Sequence, residues 1–223
     1  MKAGIAPYIA EFLASFLFTI IGLGSILVGA TSIGVALAHG FAFSALIYAI
    51  VRTSGAVINL AITLALLATN QLLIVRAILY IFVQILGAII GVLLLRQIFG
   101  ESCNAETIVP TLGISVAPDV GLLVELILTF ALVFTYLNTN NASGYPGIKG
   151  VSVGLIIIAN MLWARALTGA AMNPALAFGP SLITGAWENH WIYWLGPIIG
   201  SLLAALIYSL DVNSRNKTEI DST

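Results

Sequence analysis

The sequence predicts an all-α membrane protein with six transmembrane helices and two re-entrant half-helices, set in two inverted repeats. Three observations carry this. Side chains are 60% hydrophobic and 8% charged, with a mean hydropathy of +1.09, which makes the bilayer and not water the solvent. Six apolar runs are long enough to cross about 30 Å of hydrocarbon. Three short features recur at one constant spacing of 114 residues.

The runs cover residues 5–30, 33–51, 75–99, 119–138, 149–166 and 189–210. The first exceeds the core of a secretory signal and lacks a convincing cleavage site, so it is predicted to be a permanent span. Shorter apolar segments at 58–69 and 171–184 each carry an asparagine near the head and cannot cross alone. They are predicted to be re-entrant half-helices. At about 1.5 Å per residue, two such segments of roughly ten residues cover the hydrocarbon core together, with their N-termini meeting near its middle.

Repetition fixes the topology. Ala10-Glu11-Phe12-Leu13 is answered by Val124-Glu125-Leu126-Ile127, Ser54-Gly55-Ala56 by Thr168-Gly169-Ala170, and Asn59-Leu60-Ala61 by Asn173-Pro174-Ala175. Each repeat, about 5–99 and about 119–210 of a single channel domain over 1–223, holds three full spans. Three is odd, so the second repeat enters from the opposite side and lies inverted. With six spans and the N-terminus inside, Lys2, Arg52, Arg76, Lys149, Arg215 and Lys217 fall on the cytoplasmic side, and Arg96 and Arg165 fall outside. This split favours both termini in the cytoplasm, and a cell membrane is the default expectation for a compact chain without long extensions. Residues 211–223, polar and without periodicity, read as a disordered cytoplasmic tail.

Several function classes are excluded. A net charge of -1 without a basic cluster gives no sign of nucleic-acid binding. The single cysteine, Cys103, makes no intrachain disulfide and has no neighbouring cluster for a metal. No Ser/His/Asp set, phosphate-binding loop or cofactor signature is present, so neither an enzyme nor a cofactor is expected. Gly87, Gly91, Gly196 and Gly200 have the small-xxx-small spacing of closely packed helices. Trp187, Trp191 and Trp194 read as interfacial anchors.

An asparagine heading each half-helix has a physical purpose. Its side-chain oxygen caps free N–H groups of the first turn and leaves its own N–H pair pointing away as a donor. Two helix N-termini converging there add positive potential, which repels cations and interrupts a proton wire. Pro174 suits the first helical position, where its missing N–H is no loss. Leu60 at the matching place is expected to make that turn less rigid and the contact between the motifs looser.

These motifs, with Phe178-Gly179-Pro180 and the two membrane glutamates, resemble the aquaporin, or major intrinsic protein, family over nearly the whole chain. The resemblance implies a homotetramer with one pore per protomer. It also implies that Glu11 and Glu125 are structural carboxylates that accept hydrogen bonds from the non-helical stretches before the half-helices. A proton relay is the competing reading of an acid inside a span.

The narrowest point of an aquaporin-like pore falls, counting from the motif asparagines, on His39, Met161, Ala170 and Leu176. Most family members carry Arg at the last of these. Leu176 removes that charge and its donors, and with Met161 makes the constriction greasier. A neutral His39 offers one donor and one acceptor and becomes a cation below a pKa near 6.5, which allows a pH-sensitive filter. Its alternative is a histidine bonded to a neighbouring helix away from the lumen. A histidine here is also similar to the filter of plant vacuolar aquaporins that pass ammonia as well as water. Arg165 either swings towards the filter or snorkels to the interface.

The expected function is passive permeation of water and small neutral solutes across the lipid bilayer, with ammonia, glycerol, urea and hydrogen peroxide as candidates. A secondary transporter with a broken-helix midplane site and a largely closed channel-like protein are the alternatives.

Overall fold

The computed structural model describes residues 4–140 and 148–221; Lys2 and the last two residues of the tail lie outside them. Helices are α1 (Ala6–Leu27), α2 (Ser32–Ser54), α3 (Leu60–Ala68), α4 (Ile74–Phe99), α5 (Ala105–Ile108), α6 (Pro118–Asn140), α7 (Ile148–Thr168), α8 (Pro174–Thr184) and α9 (Ile192–Asp221). Six of these elements are long and apolar enough to cross a membrane. Half-helices α3 and α8, of 9 and 11 residues, add up to about 30 Å of helix.

Local chemistry sets the boundaries. Thr31 caps α2 by accepting from the Gly34 N–H at 3.2 Å, and left-handed glycines, Gly55 and Gly185, end α2 and α8. The tail departs from expectation, because α9 continues to Asp221. Packing of its apolar turns nucleates that helix, and residues 211–221 contain no glycine or proline to stop propagation.

Within the first repeat α1 packs on α4 and α2; within the second, α6 packs on α9 and α7; the repeats meet along α2 and α7. Close approach explains several glycines. A Cβ on Gly40 would run into the Gly154 carbonyl and one on Gly154 into the Gly40 carbonyl, so the α2–α7 crossing passes through this reciprocal pair. A Cβ on Gly87 would meet the Phe12 carbonyl of α1, and one on Gly200 the Leu126 carbonyl of α6. Large apolar side chains such as Ile9, Leu13 and Leu17 face outward, as a lipid-solvated surface requires.

Candidate functional site

The site is built on two non-helical stretches, 55–58 and 169–172, which lead into α3 and α8. Their backbones repeat each other. Gly55 and Gly169 sit at φ 95° and 83°, Ala56 and Ala170 at 56° and 53°, Ile58 and Met172 at 60° and 52°. A left-handed backbone costs a non-glycine residue roughly 1–2 kcal/mol, and a β-branched one such as Ile58 is especially unsuited to it.

Two fully buried carboxylates hold that geometry. Glu11 accepts from the Ser54 hydroxyl at 2.6 Å, the Val57 and Ile58 N–H groups at 2.9 and 2.6 Å, and the Gln84 amide at 3.0 Å. Glu125 accepts from the Thr168 hydroxyl at 2.7 Å and the Ala171 and Met172 N–H groups at 3.0 and 2.9 Å. With both oxygens of each accepting, the donor sets suit ionised carboxylates, and the N–H groups of each stretch are turned away from its carbonyls.

Two tyrosines complete the scaffold. Tyr80 donates to the Ser54 carbonyl at 2.8 Å and Tyr193 to the Thr168 carbonyl at 2.9 Å, tying the ends of α2 and α7 to α4 and α9. They lie 113 residues apart, one short of the main repeat, so a search at fixed spacing passes over them.

At the junction Asn59 accepts from the Ala61 and Ile62 N–H groups at 2.7 and 3.4 Å, and Asn173 from the Ala175 N–H at 3.1 Å. Ala61 and Ala175 are buried there. The carboxamides also cross over: Asn59 donates to the Met172 carbonyl at 2.9 Å and Asn173 to the Ile58 carbonyl at 3.5 Å. Each amide keeps a second N–H. Leu60 does not loosen the junction as its sequence position suggests, because its N–H, which Pro174 lacks, donates to the Asn173 side-chain oxygen at 3.3 Å.

His39, Met161, Ala170 and Leu176, each buried, line one cavity of about 220 Å³ at the end of the bundle where α4 and α7 finish, together with Arg165 and residues 106–113. Arg165 is half-buried and turned into this cavity. The His39 Nδ1 lies 2.9 Å from the Val35 carbonyl of its own helix, so its proton is committed there and Nε2 remains as an acceptor when the ring is neutral. The ring sits against Gly22 and at 5.7 Å, edge to face, from Phe18. Inward of these four side chains the space falls to about 10 Å³, lined by residues that include Phe18, Phe43, Asn59, Leu132 and Ile157. That is room for about one water.

At the same end of the bundle, Trp194 donates to His190 Nε2 at 3.0 Å, and Nδ1 therefore carries the proton towards the Ser181 hydroxyl at 3.1 Å. Trp194 is thus a structural strut, whereas Trp187 and Trp191 are about half exposed. Burial holds the His190 pKa below its ordinary value. Cys103, buried near the outer end of α4, has its thiol pKa raised by the same cause.

The sequence model of the major intrinsic protein family matches residues 2–208. The chain is 42% identical to the probable aquaporin TIP3-2 of Arabidopsis thaliana over 90% of this chain and 81% of that one. It is 38% identical to the lens fiber major intrinsic protein of Gallus gallus over 94% of this chain and 82% of that one. The fold superposes on the X-ray structure of the aquaglyceroporin from Plasmodium falciparum with a TM-score of 0.83 at 22% identity, covering 92% and 95% of the two chains. A helical bundle with mirrored half-helices, a shared asparagine junction and this degree of likeness leave one assignment: the chain belongs to the major intrinsic protein family.

Proposed function

We propose that the protein passes water and the smallest neutral solutes, ammonia and hydrogen peroxide among them, in single file past Asn59 and Asn173, with His39, Met161, Ala170 and Leu176 as the outer constriction. The protein is a passive channel of a family whose members are channels and not enzymes. One observation carries the choice of passenger: behind the constriction the space holds about one water, between the spare N–H of Asn59 and the apolar Phe43, Leu132 and Ile157. Glycerol and urea are too large for that space without widening it. The His39 acceptor and the Asn donors, with no fixed charge at Leu176, suit a molecule that both donates and accepts hydrogen bonds.

Leu176→Arg tests the constriction. It adds donors and a positive charge where the outer cavity narrows, so ammonia and peroxide entry into proteoliposomes should fall relative to water. An unchanged solute profile would show that residue 176 does not meet the passenger.

Orientation and assembly follow as parts of the same proposal. Arg52, Arg76 and Lys149 lie at one end of the bundle, and Arg96 and Arg165 at the other, which supports cytoplasmic termini in a cell membrane. A homotetramer with a pore in each protomer fits the outward apolar stripe of α1, Ile9, Leu13, Leu17 and Ile21.

A further inference from the structure

The two ends of the pore are not equivalent. At the outer end, Gly169, Ala170 and Ala171 open onto the 220 Å³ cavity. At the inner end the corresponding carbonyls of the first repeat are covered. Tyr136 places its hydroxyl 3.1 Å from both the Gly55 and the Ala56 carbonyls. Lys149 donates to the Gly55 carbonyl at 3.1 Å, and its ammonium lies 3.8 Å above the centre of the Tyr136 ring. Both side chains are buried, at 1% and 9% exposure.

Both stand on helices that border the space beside Asn59. Tyr136 is one helical turn from Leu132 on α6, and Lys149 is two turns from Ile157 on α7; Leu132 and Ile157 both line the space beside Asn59. Glu11 turns the Val57 and Ile58 N–H groups to one side, and the Gly55 and Ala56 carbonyls are met by Tyr136 and Lys149. At the 114-residue spacing the outer counterparts of Tyr136 and Lys149 are Gly22 and Val35. The symmetric half thus has a glycine and a valine where this half has a phenol and an ammonium.

We infer that Tyr136 and Lys149 form a second, inner constriction that determines specificity: the phenol sets the bore, and the ammonium, held over its face and on the Gly55 carbonyl, bars cations from a pore whose outer constriction has Leu176. The Glu11 carboxylate offsets part of this charge, and away from bulk water the remainder is little screened by salt. Cation–π contact and the carbonyl bond keep it there. The inference rests on the pore reading proposed above.

The test uses full-length protein in proteoliposomes with two readouts, osmotic shrinkage for water and a trapped pH dye under a potassium diffusion potential for proton leak. Lys149→Met keeps the chain length without the charge and should raise proton leak on the order of tenfold while water flux stays or rises; Lys149→Arg should keep leak at the wild-type level. Tyr136→Val should raise water flux roughly threefold or more by widening the bore. If Lys149→Met protein that elutes as wild type does shows wild-type leak, the charge barrier is overturned. If Tyr136→Val leaves water flux unchanged, the inner constriction is overturned, and Tyr136→Leu, which also replaces the ring by a smaller aliphatic side chain, repeats that test should the valine variant not fold. Wild-type flux above empty vesicles together with silent variants refutes the inference and leaves the pore reading standing. Wild type and all variants matching empty vesicles refute both.

Discussion

Replacing each buried carboxylate by its amide gives a measurable asymmetry. In Glu125→Gln one oxygen becomes an NH2 group. Placed where it faces the Met172 N–H, now bonded at 2.9 Å, it orphans that donor. A buried orphaned donor costs about 1–3 kcal/mol. In Glu11→Gln the corresponding oxygen serves both the Ile58 N–H at 2.6 Å and the Gln84 amide at 3.0 Å, so the Ile58 donor is orphaned and Gln84 either loses its partner or turns over and gives up the bond it accepts from Thr63 at 3.2 Å. The cost is about 2–6 kcal/mol by the same measure. For a chain of this size about 1 kcal/mol moves Tm by roughly 2–4 °C. Thermal unfolding in detergent, followed by tryptophan fluorescence, should show both variants melting below wild type and Glu11→Gln by about twice the shift. Equal shifts, or a Glu11→Gln variant as stable as wild type, would refute the assignment of these carboxylates as anchors of the left-handed stretches.

Three further outcomes follow. The Thr129 hydroxyl is buried without a hydrogen-bond partner among the described residues, so Thr129→Val should raise Tm by the few degrees that about 1 kcal/mol represents; a lower Tm would mean that the hydroxyl is satisfied. A Cβ at residue 22 would come within 2.6 Å of His39 Nε2, so Gly22→Ala should push the ring into the pore and cut water flux, at about 1–3 kcal/mol of overpacking; wild-type flux would show that the ring does not border the path. The His190 pKa is lowered by burial from 6.5, so the folded state binds fewer protons there than the unfolded one. The stability this residue contributes is complete above its unfolded value and is lost as pH falls through the lowered folded value. Tm should drop as pH falls below about 6.5, and His190→Gln should flatten that slope.

Much of the architecture was legible because bilayers impose blunt rules. A carboxylate within an apolar run must have partners, so Glu11 and Glu125 stood out, and an odd number of spans per repeat forced inversion. The features that a sequence hides have chemistry with an ordinary alternative use. Tyr80 and Tyr193 look like interfacial tyrosines, and their spacing slips by one residue from the main repeat, so neither signalled a bond to the Ser54 and Thr168 carbonyls. Lys149, first residue of the fifth apolar run, reads as a cytoplasmic charge that sets orientation, yet it folds inward onto the Gly55 carbonyl. Gly40 and Gly154 lie at the repeat spacing, each with a small residue four positions earlier, Ala36 and Gly150, yet only the helix crossing reveals that they meet each other. Leu60 was expected to weaken the junction because proline stiffness is visible in a sequence, whereas the extra N–H it brings finds a partner only in three dimensions. The tail from Asp211 lacks an apolar face, and its helix is borrowed from the packed turns before it.

The central claim is passive, single-file permeation past Asn59 and Asn173. Its most direct test is stopped-flow shrinkage of proteoliposomes containing the full chain, read against empty vesicles over a series of osmotic gradients. The account predicts shrinkage faster than empty vesicles, with a rate proportional to the gradient and independent of sodium or proton gradients. A flux that saturates or needs an ion gradient, or a rate equal to that of empty vesicles for both wild type and Tyr136→Val, would contradict it.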